Sequence, residues 1–346
     1  MSGRRRGVAA AGVRLALRLG EVPYTWAVRW RNWCYDRGWK ETHRVGVPVV
    51  SVGNLTLGGT GKTPMVEWLA RWFRRQGVRV TLISRGYGAQ SGARNDEALE
   101  LEQKLPDVPH LQNPNRVAAA ETAIEEFECQ LILLDDAFQH RRIARDLDIV
   151  LLDALEPLGF GHVFPRGTLR EPVAGLRRAD VVVLSRADML PHAGREDIRR
   201  IVQLHAPEAV FLEASHAPLA LLDCGGKEAS LDSLAGRPVA AFCGIGNPAG
   251  FRHTLRACDY RLADFREFPD HHDYVRSDVA SLADWAGRLD VEAVVCTCKD
   301  LVKLGIPEIG GRPLWAVNVG IDFLTGQGDL ETELGRLLER PPNPLA

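Results

Sequence analysis

The chain has 346 residues, 45% hydrophobic and 25% charged, with a formal net charge of −2, the profile of a folded protein of about two domains. Its 33 glycines and 20 prolines follow no period, which excludes collagen-like, low-complexity and disordered classes. The near-neutral total conceals a basic front: residues 1–46 hold ten Lys and Arg against Glu21, Asp36 and Glu41, together with Trp26, Trp30, Trp33 and Trp39, half of the eight tryptophans.

In that front, Leu15, Leu19, Val22, Trp26, Trp30 and Trp33 recur every three or four residues and predict an amphipathic helix that Pro23 kinks or divides. Tryptophan and arginine beside an apolar stripe suit the bilayer interface, where indoles sit at headgroup depth and cations meet anionic lipid. Docking on the chain's own body is the alternative. Nucleic acid is not an expected partner, because no reading motif accompanies the basic residues. No segment reaches the ~18 uncharged apolar residues of a membrane span. Arg14 and Arg18 interrupt any signal-peptide core, so a cytoplasmic location is expected.

From residue 47 short apolar runs alternate with helical stretches. Val47–Val52, Val78–Ser84, Leu131–Leu134, Ile149–Leu152 and Val181–Ser185 read as buried strands of an α/β fold, a parallel sheet with helices on both faces. Another strand is expected near Ala209–Glu213. The Gly-, Asp- and Ser-rich stretch Leu222–Pro238 reads as a linker, followed by a smaller α/β unit built on Val239–Cys243, Ala293–Cys296 and Leu314–Val319. The expected domains are thus 1–46, 47–222 and 223–346. Seven cysteines are scattered, and Cys296 and Cys298, the only close pair, read as half-buried thiols on one strand face.

The strongest local signal is Val47–Val52 followed by Gly53-Asn54-Leu55-Thr56-Leu57-Gly58-Gly59-Thr60-Gly61-Lys62-Thr63-Pro64 and a helix to about Arg75. Strand, glycine-rich loop, Gly-Lys-Thr and helix form a P-loop, which makes the expected α/β fold a P-loop NTPase-type parallel sheet. Backbone N–H groups of Gly58, Gly59, Thr60 and Gly61 hold phosphate, Lys62 reaches the β/γ oxygens and the Thr63 hydroxyl ligates Mg²⁺. Thr56 stands where the strict pattern has glycine. Asp135-Asp136, at the end of Leu131–Leu134, supplies the metal's carboxylates, and His140 follows in Phe138-Gln139-His140. Ser185-Arg186-Ala187-Asp188 and Thr297-Cys298-Lys299-Asp300 each fall short of a guanine-reading Lys-x-Asp loop.

Phosphoryl transfer to an alcohol also needs a group to orient the hydroxyl or accept its proton, and a P-loop carries none. Asn95-Asp96-Glu97, beyond Ser84-Arg85-Gly86-Tyr87-Gly88, and Asp270-His271-His272 are candidates. A carboxylate and an imidazole meeting across a closing cleft would make a competent base, one pairing among several. His271-His272 as a metal pair is disfavoured, since adjacent histidines diverge.

Together, Val-Gly-Asn-Leu-Thr-x-Gly-Gly-Thr-Gly-Lys-Thr-Pro (52–64), Ser-Arg-Gly-Tyr-Gly (84–88), Asp-Asp-x-Phe-Gln-His (135–140), Leu-Arg-Glu-Pro (169–172), Phe-Cys-Gly-Ile-Gly-Asn-Pro (242–248) and Asp-His-His-x-Tyr (270–274) closely resemble the tetraacyldisaccharide 4′-kinase family of lipid A synthesis. The resemblance runs from about residue 20 to 320, and that family's loop also lacks the first glycine. It implies an ATP- and Mg²⁺-dependent kinase that phosphorylates the 4′-hydroxyl of a tetraacylated disaccharide 1-phosphate at the cytoplasmic face of the inner membrane. Its implied partner is that lipid; the amphipathic stripe adds an anionic membrane surface met through residues 8–34, and no obligate protein partner is evident.

By position in these motifs, Lys62 and Thr63 take the P-loop roles and Asp135 and Asp136 the metal carboxylates. Asp96 is implied as the base and His271 as the histidine paired with it. Arg116, His140 and Glu171 are implied to line the site. Ala137, Asn95, Ala98, Arg166 and Thr168 depart from the family's usual residues, which bears on the backbone near Asp96 and Ala137. A membrane-recruited P-loop ATPase or switch, which transfers nothing to lipid, is the competing class.

Overall fold

A computed structural model describes residues 8–86, 96–270 and 272–339. In chain order the elements are α1 (Val8–Asp36), β1 (Val49–Asn54), α2 (Lys62–Arg75), β2 (Val80–Ser84), α3 (Asp96–Lys104), β3 (His110–Gln112), α4 (Arg116–Phe127), β4 (Leu131–Asp135), β5 (Leu147–Asp153), β6 (Val181–Ser185), α5 (His192–His205), β7 (Val210–Leu222), β8 (Glu228–Ala229), β9 (Pro238–Cys243), α6 (Pro248–Ala257), β10 (Arg261–Glu267), α7 (Arg276–Gly287), β11 (Ala293–Thr297), α8 (Cys298–Leu304), β12 (Glu308–Ile309), β13 (Arg312–Thr325) and α9 (Gln327–Glu339).

Two compact units result. One comprises residues 1–87, 107–216 and 321–346, the other 88–106 and 217–320. The first carries parallel strands in the order β7-β6-β5-β1-β4-β2-β3. Strands β1, β2, β4 and β6 are buried along their whole length, as uninterrupted Val/Ile/Leu runs covered on both faces must be. Ile132 and Leu134 pack with Val117, Ala120 and Ala123 of α4. Val150, Leu152, Val182 and Leu184 pack with Ile198 and Val202 of α5. Each fully buried Val, Leu or Ile side chain among them contributes about 1.5–3 kcal/mol.

The second unit has parallel strands in the order β10-β9-β11-β13, over a core that includes Phe242, Trp285, Val294 and Leu314. Strand β10 reads Arg-Leu-Ala-Asp-Phe-Arg-Glu and has no fully buried residue, so as an edge strand it lacks the apolar run that announces the others. The expected linker holds β8 and a 3₁₀ turn at Leu231–Leu234 that buries Leu234. Cys298 opens α8 rather than sharing a strand face with Cys296, and its thiol donates to the Val317 carbonyl at 3.5 Å. The unit boundaries also differ from 47–222 and 223–346: α3 packs on α8 and so groups with the second unit, while α9 groups with the first.

Helix α1 runs through Pro23 without a break. Its inward side buries Val28, Asn32 and Cys34. Tyr24 Oη donates to the Arg170 carbonyl at 3.2 Å. The apolar stripe points the other way, with Leu15, Leu19, Val22, Trp26 and Trp30 all exposed, Trp26 at 66%. The Trp26, Trp30, Trp33 and Trp39 rings stack on or abut one another in sequence. Docking on the body therefore uses a face the stripe does not occupy.

Candidate active site

The loop between β1 and α2 is clasped from several sides. Asn54, itself buried, donates through Nδ2 to the Gly58 carbonyl at 3.2 Å and to Thr60 Oγ1 at 3.1 Å. Leu57 N–H donates to the Thr168 carbonyl at 2.6 Å, and Arg170 N–H to the Leu55 carbonyl at 2.7 Å. Ser185 Oγ, at the end of β6, donates to the Thr60 carbonyl at 2.8 Å. Arg186 donates to the Gly59 carbonyl at 3.2 Å and pairs with Asp153. Gly61 caps α2 with φ 81° and no side-chain partner, so the helix N-terminus keeps free N–H groups and its positive dipole end for an anion. Thr56 is not among the left-handed residues of the loop, which is why a β-branched side chain fits there.

Lys62 opens α2 and places Nζ 3.5 Å from Asp136 Oδ1. Arg170 reaches the same carboxylate with Nη1 at 2.8 and 2.9 Å. Asp136 turns toward them because its φ is 50°, in the left-handed region that Asp tolerates better than most residues. Burial pushes its pKa up, but Lys62 and Arg170 together hold it below the usual carboxylate range. It therefore remains ionised at neutral pH. Asp135 ends β4 and is buried. The Thr63 hydroxyl and the Asp135 and Asp136 carboxylates are hard oxygen donors, the type that suits Mg²⁺.

Arg116, the first residue of α4, is buried beside this pair; burial and then Arg85 lower its pKa, while Asp136 and Asp135 raise it. His140 is pushed down to about 4 by burial first and then by Arg116, Arg145, Arg85 and Arg142. His216, on β7, has its Nε2 so close to Gly61 that a Cβ there would overlap it. Burial and then Arg186 push His216 to about 4. Both imidazoles are neutral at pH 7. Each accepts a proton near pH 6.5 once unfolded, so the unfolded chain binds more protons between pH 6.5 and 4. Stability is expected to fall as pH drops through that window. Calorimetry at successive pH values should show a flatter decline for a His140→Asn/His216→Asn double variant.

Glu171, implied to line the site, is instead 0% exposed beneath it. It accepts from Arg178 at 2.8 and 3.0 Å, Asn32 Nδ2 at 2.9 Å and Gln139 Nε2 at 3.1 Å. Gln139 also donates to the Asn54 carbonyl at 2.8 Å. The two guanine-like sequences are likewise engaged internally. Ser185-Arg186 grips the phosphate loop. Asp300, 1% exposed, accepts from Gly244 N–H at 3.0 Å, Tyr274 Oη at 2.9 Å and Thr297 Oγ1 at 2.6 Å.

Asp96 opens α3, and His271 lies outside the described residues. The helix that Asp96 opens belongs to the same unit as Asp270 and His272, not to the nucleotide unit in which the sequence reading placed it. His272 Nε2 bonds Asp278 Oδ2 at 2.9 Å and its ring stacks on Phe268 at 4.8 Å, while Lys303 Nζ donates to its carbonyl at 3.1 Å. His272 is thus held by its own ring, side-chain and carbonyl contacts.

This site can cradle phosphate and hold a cation–carboxylate–cation cluster beside it. A family model described as tetraacyldisaccharide-1-P 4′-kinase, LpxK, matches residues 13–339. The chain belongs to that family. It is 40% identical to the tetraacyldisaccharide 4′-kinase of Anaeromyxobacter sp. (strain K), over 98% of this chain and 95% of that one. The enzyme of the same name from Desulfatibacillum aliphaticivorans is 37% identical over 90% and 89% of the two chains. A crystal structure of LpxK from Aquifex aeolicus in complex with ATP is similar with a TM-score of 0.76, at 29% identity, covering 94% of this chain and 99% of that one.

Arg170, Ser185, Arg186 and His216 are the residues the motif reading left without a role. Arg170 sits inside Leu169-Arg170-Glu171-Pro172 and Ser185-Arg186 directly follows a predicted strand, so both carried a signal. For His216, on a strand between ordinary residues, the sequence offered none.

Proposed function

We propose that this LpxK-family chain transfers the γ-phosphoryl group of ATP to the 4′-hydroxyl of a tetraacyldisaccharide 1-phosphate, giving lipid IVA. The observation that carries this reading is the ionised Asp136 clamped between Lys62 and Arg170 at the mouth of an α2 phosphate cradle, in a chain that matches the family from residue 13 to 339. The loop N–H groups and Lys62 hold and neutralise the phosphates, and Asp136 fixes Lys62 against thermal wandering. Mg²⁺, held by Thr63 and by Asp135 or Asp136, would neutralise charge on the β/γ oxygens. Asp96, oriented by His271, accepts the 4′-hydroxyl proton. That oxygen bonds to the γ-phosphorus as its bond to the β–γ bridging oxygen breaks, and ADP departs.

The substrate's four acyl chains keep it in a membrane, and the exposed Leu15–Trp30 stripe of α1 is the surface by which the chain reaches it, at the cytoplasmic face. None of the helices among the described residues is long and apolar enough to cross a bilayer.

Incubation with γ-labelled ATP, Mg²⁺ and the lipid disaccharide in detergent micelles tests the reading. Label should move to lipid; label found only as free phosphate would favour an ATPase or switch. Asp96→Ala and His271→Ala should each lower kcat by 100- to 10,000-fold, roughly the worth of a general base, while ATP binding by calorimetry persists. Near-normal turnover in either variant removes that residue from the proton transfer.

A further inference from the structure

The loop of residues 155–169 holds exposed aromatic side chains in a conformation that local energetics disfavour. Gly159, Phe160 and Gly161 are consecutive left-handed residues, with φ of 56°, 59° and 72°. Phenylalanine has no intrinsic preference for that region, yet the turn directs its ring outward, where it is 40% exposed. The segment is pinned. Phe160 N–H donates to Glu156 Oε1 at 2.6 Å. Thr168 N–H donates to the Gly159 carbonyl at 3.1 Å, and Phe164 N–H to the Leu169 carbonyl at 2.9 Å. Val163 and Leu169 fill the inside, while Phe164 remains 39% exposed and Leu155 also faces solvent.

The same loop is fastened to α1. Glu21 Oε1 accepts from Val163 N–H at 3.2 Å, and Oε2 pairs with Arg166 at 3.2 Å. The Phe164 ring meets Tyr24 at 5.7 Å, and Pro165 lies against Gly20. At its other end Thr168 accepts from Leu57, an exposed residue of the phosphate loop.

Charge identifies the occupant of this surface. Both acidic residues of α1 are drawn toward the body: Glu21 to Arg166 and His162, Asp36 to Arg141 and Arg177. The outward face of α1 is left with Arg14, Arg18 and Arg29 among its exposed apolar residues. Exposed Phe, Leu and Trp beside these cations, with Glu21 and Asp36 turned to the body and Glu156 holding the Phe160 N–H, are complementary to an anionic lipid surface.

We propose that the 155–169 loop is a second membrane-seating element, whose exposed Phe160 and Phe164 enter the bilayer interface on the Glu21–Tyr24 flank of α1 and bring the rim of the phosphate loop to the lipid surface. The inference rests on the membrane-bound substrate reading above and adds to it a loop that the helix alone does not account for.

The test is flotation of the full chain with vesicles of phosphatidylethanolamine and phosphatidylglycerol, without substrate. Phe160→Gly suits the left-handed position better than phenylalanine does, so Phe160→Gly/Phe164→Ser should fold, and its apparent partition constant should fall about tenfold. Phe160→Gly alone should give part of that loss, and Phe160→Trp/Phe164→Trp should restore binding. Leu204→Ser, an exposed apolar change on α5, should leave it unaltered. Replacing Trp26, Trp30 and Trp33 with alanine should weaken flotation independently.

Unchanged flotation of both the Phe160→Gly and the double variant overturns the proposal, as does an equal loss with Leu204→Ser. Labelled lipid in micelles together with flotation indifferent to the Phe changes overturns the loop and keeps the kinase reading. Phe-dependent flotation with label only in free phosphate does the reverse.

Discussion

Asp136→Asn is expected to lower kcat about a thousandfold with the fold intact. Asparagine keeps the shape and accepts the left-handed φ of 50°, so the backbone after β4 should not move. The charge is what disappears. Lys62, 3.5 Å away, and Arg170, at 2.8 Å, then face each other across a neutral amide. Electrostatic groups placed where charge develops in a transition state are each worth 100- to 1,000-fold or roughly 3–4 kcal/mol. In a site where phosphoryl transfer depends on positioning and charge alone, the upper end is expected. The Asp136 side chain is partly exposed, so its ion pairs are screened and add at most about 1 kcal/mol to stability. Steady-state turnover with thermal unfolding as control checks this. A variant within tenfold of the parent would show that Asp136 serves the loop's structure and not the reaction.

Gly61→Ala should weaken ATP binding at least about 100-fold. Two separate obstacles act on the new methyl group. A φ of 81° costs a non-glycine residue about 1–2 kcal/mol, and the His216 ring occupies the space beside the Cα, which adds about 1–3 kcal/mol of overpacking. The loop can relieve both only by shifting the N–H groups that receive phosphate. Gly61→Ala/His216→Ala removes the second obstacle and not the first, so it should regain about tenfold. Calorimetric titration with ATP decides: no recovery would mean that backbone strain is the whole effect, and complete recovery that the ring is.

What the sequence made legible was whatever is local and periodic. Buried strands are continuous apolar runs, the phosphate loop carries its own glycines and lysine, and Asp135-Asp136 ends the strand next to it. Contacts between distant segments were hidden. Arg170 meets Asp136 because residues 168–170 zip onto residues 55–57, and nothing in either stretch specifies the other. Glu171 looked like a site residue from its motif, yet its partners Asn32 and Arg178 are fixed by packing, so it lies underneath. The grouping of α3 with the second unit follows from its contact with α8, some 200 residues later in the chain. On α1, the conspicuous tryptophan periodicity concealed a second face, Glu21, Tyr24, Val28 and Asn32, whose polar members drew no attention because their partners are 100 or more residues away.

Through that second face, Asn32 of α1 and Gln139 share the carboxylate of Glu171, and Gln139 holds the carbonyl of Asn54 where the phosphate loop begins. The first helix and the start of the nucleotide cradle are therefore tied through one buried carboxylate. A helix seated on a membrane, as proposed above, would carry the heading of the cradle with it.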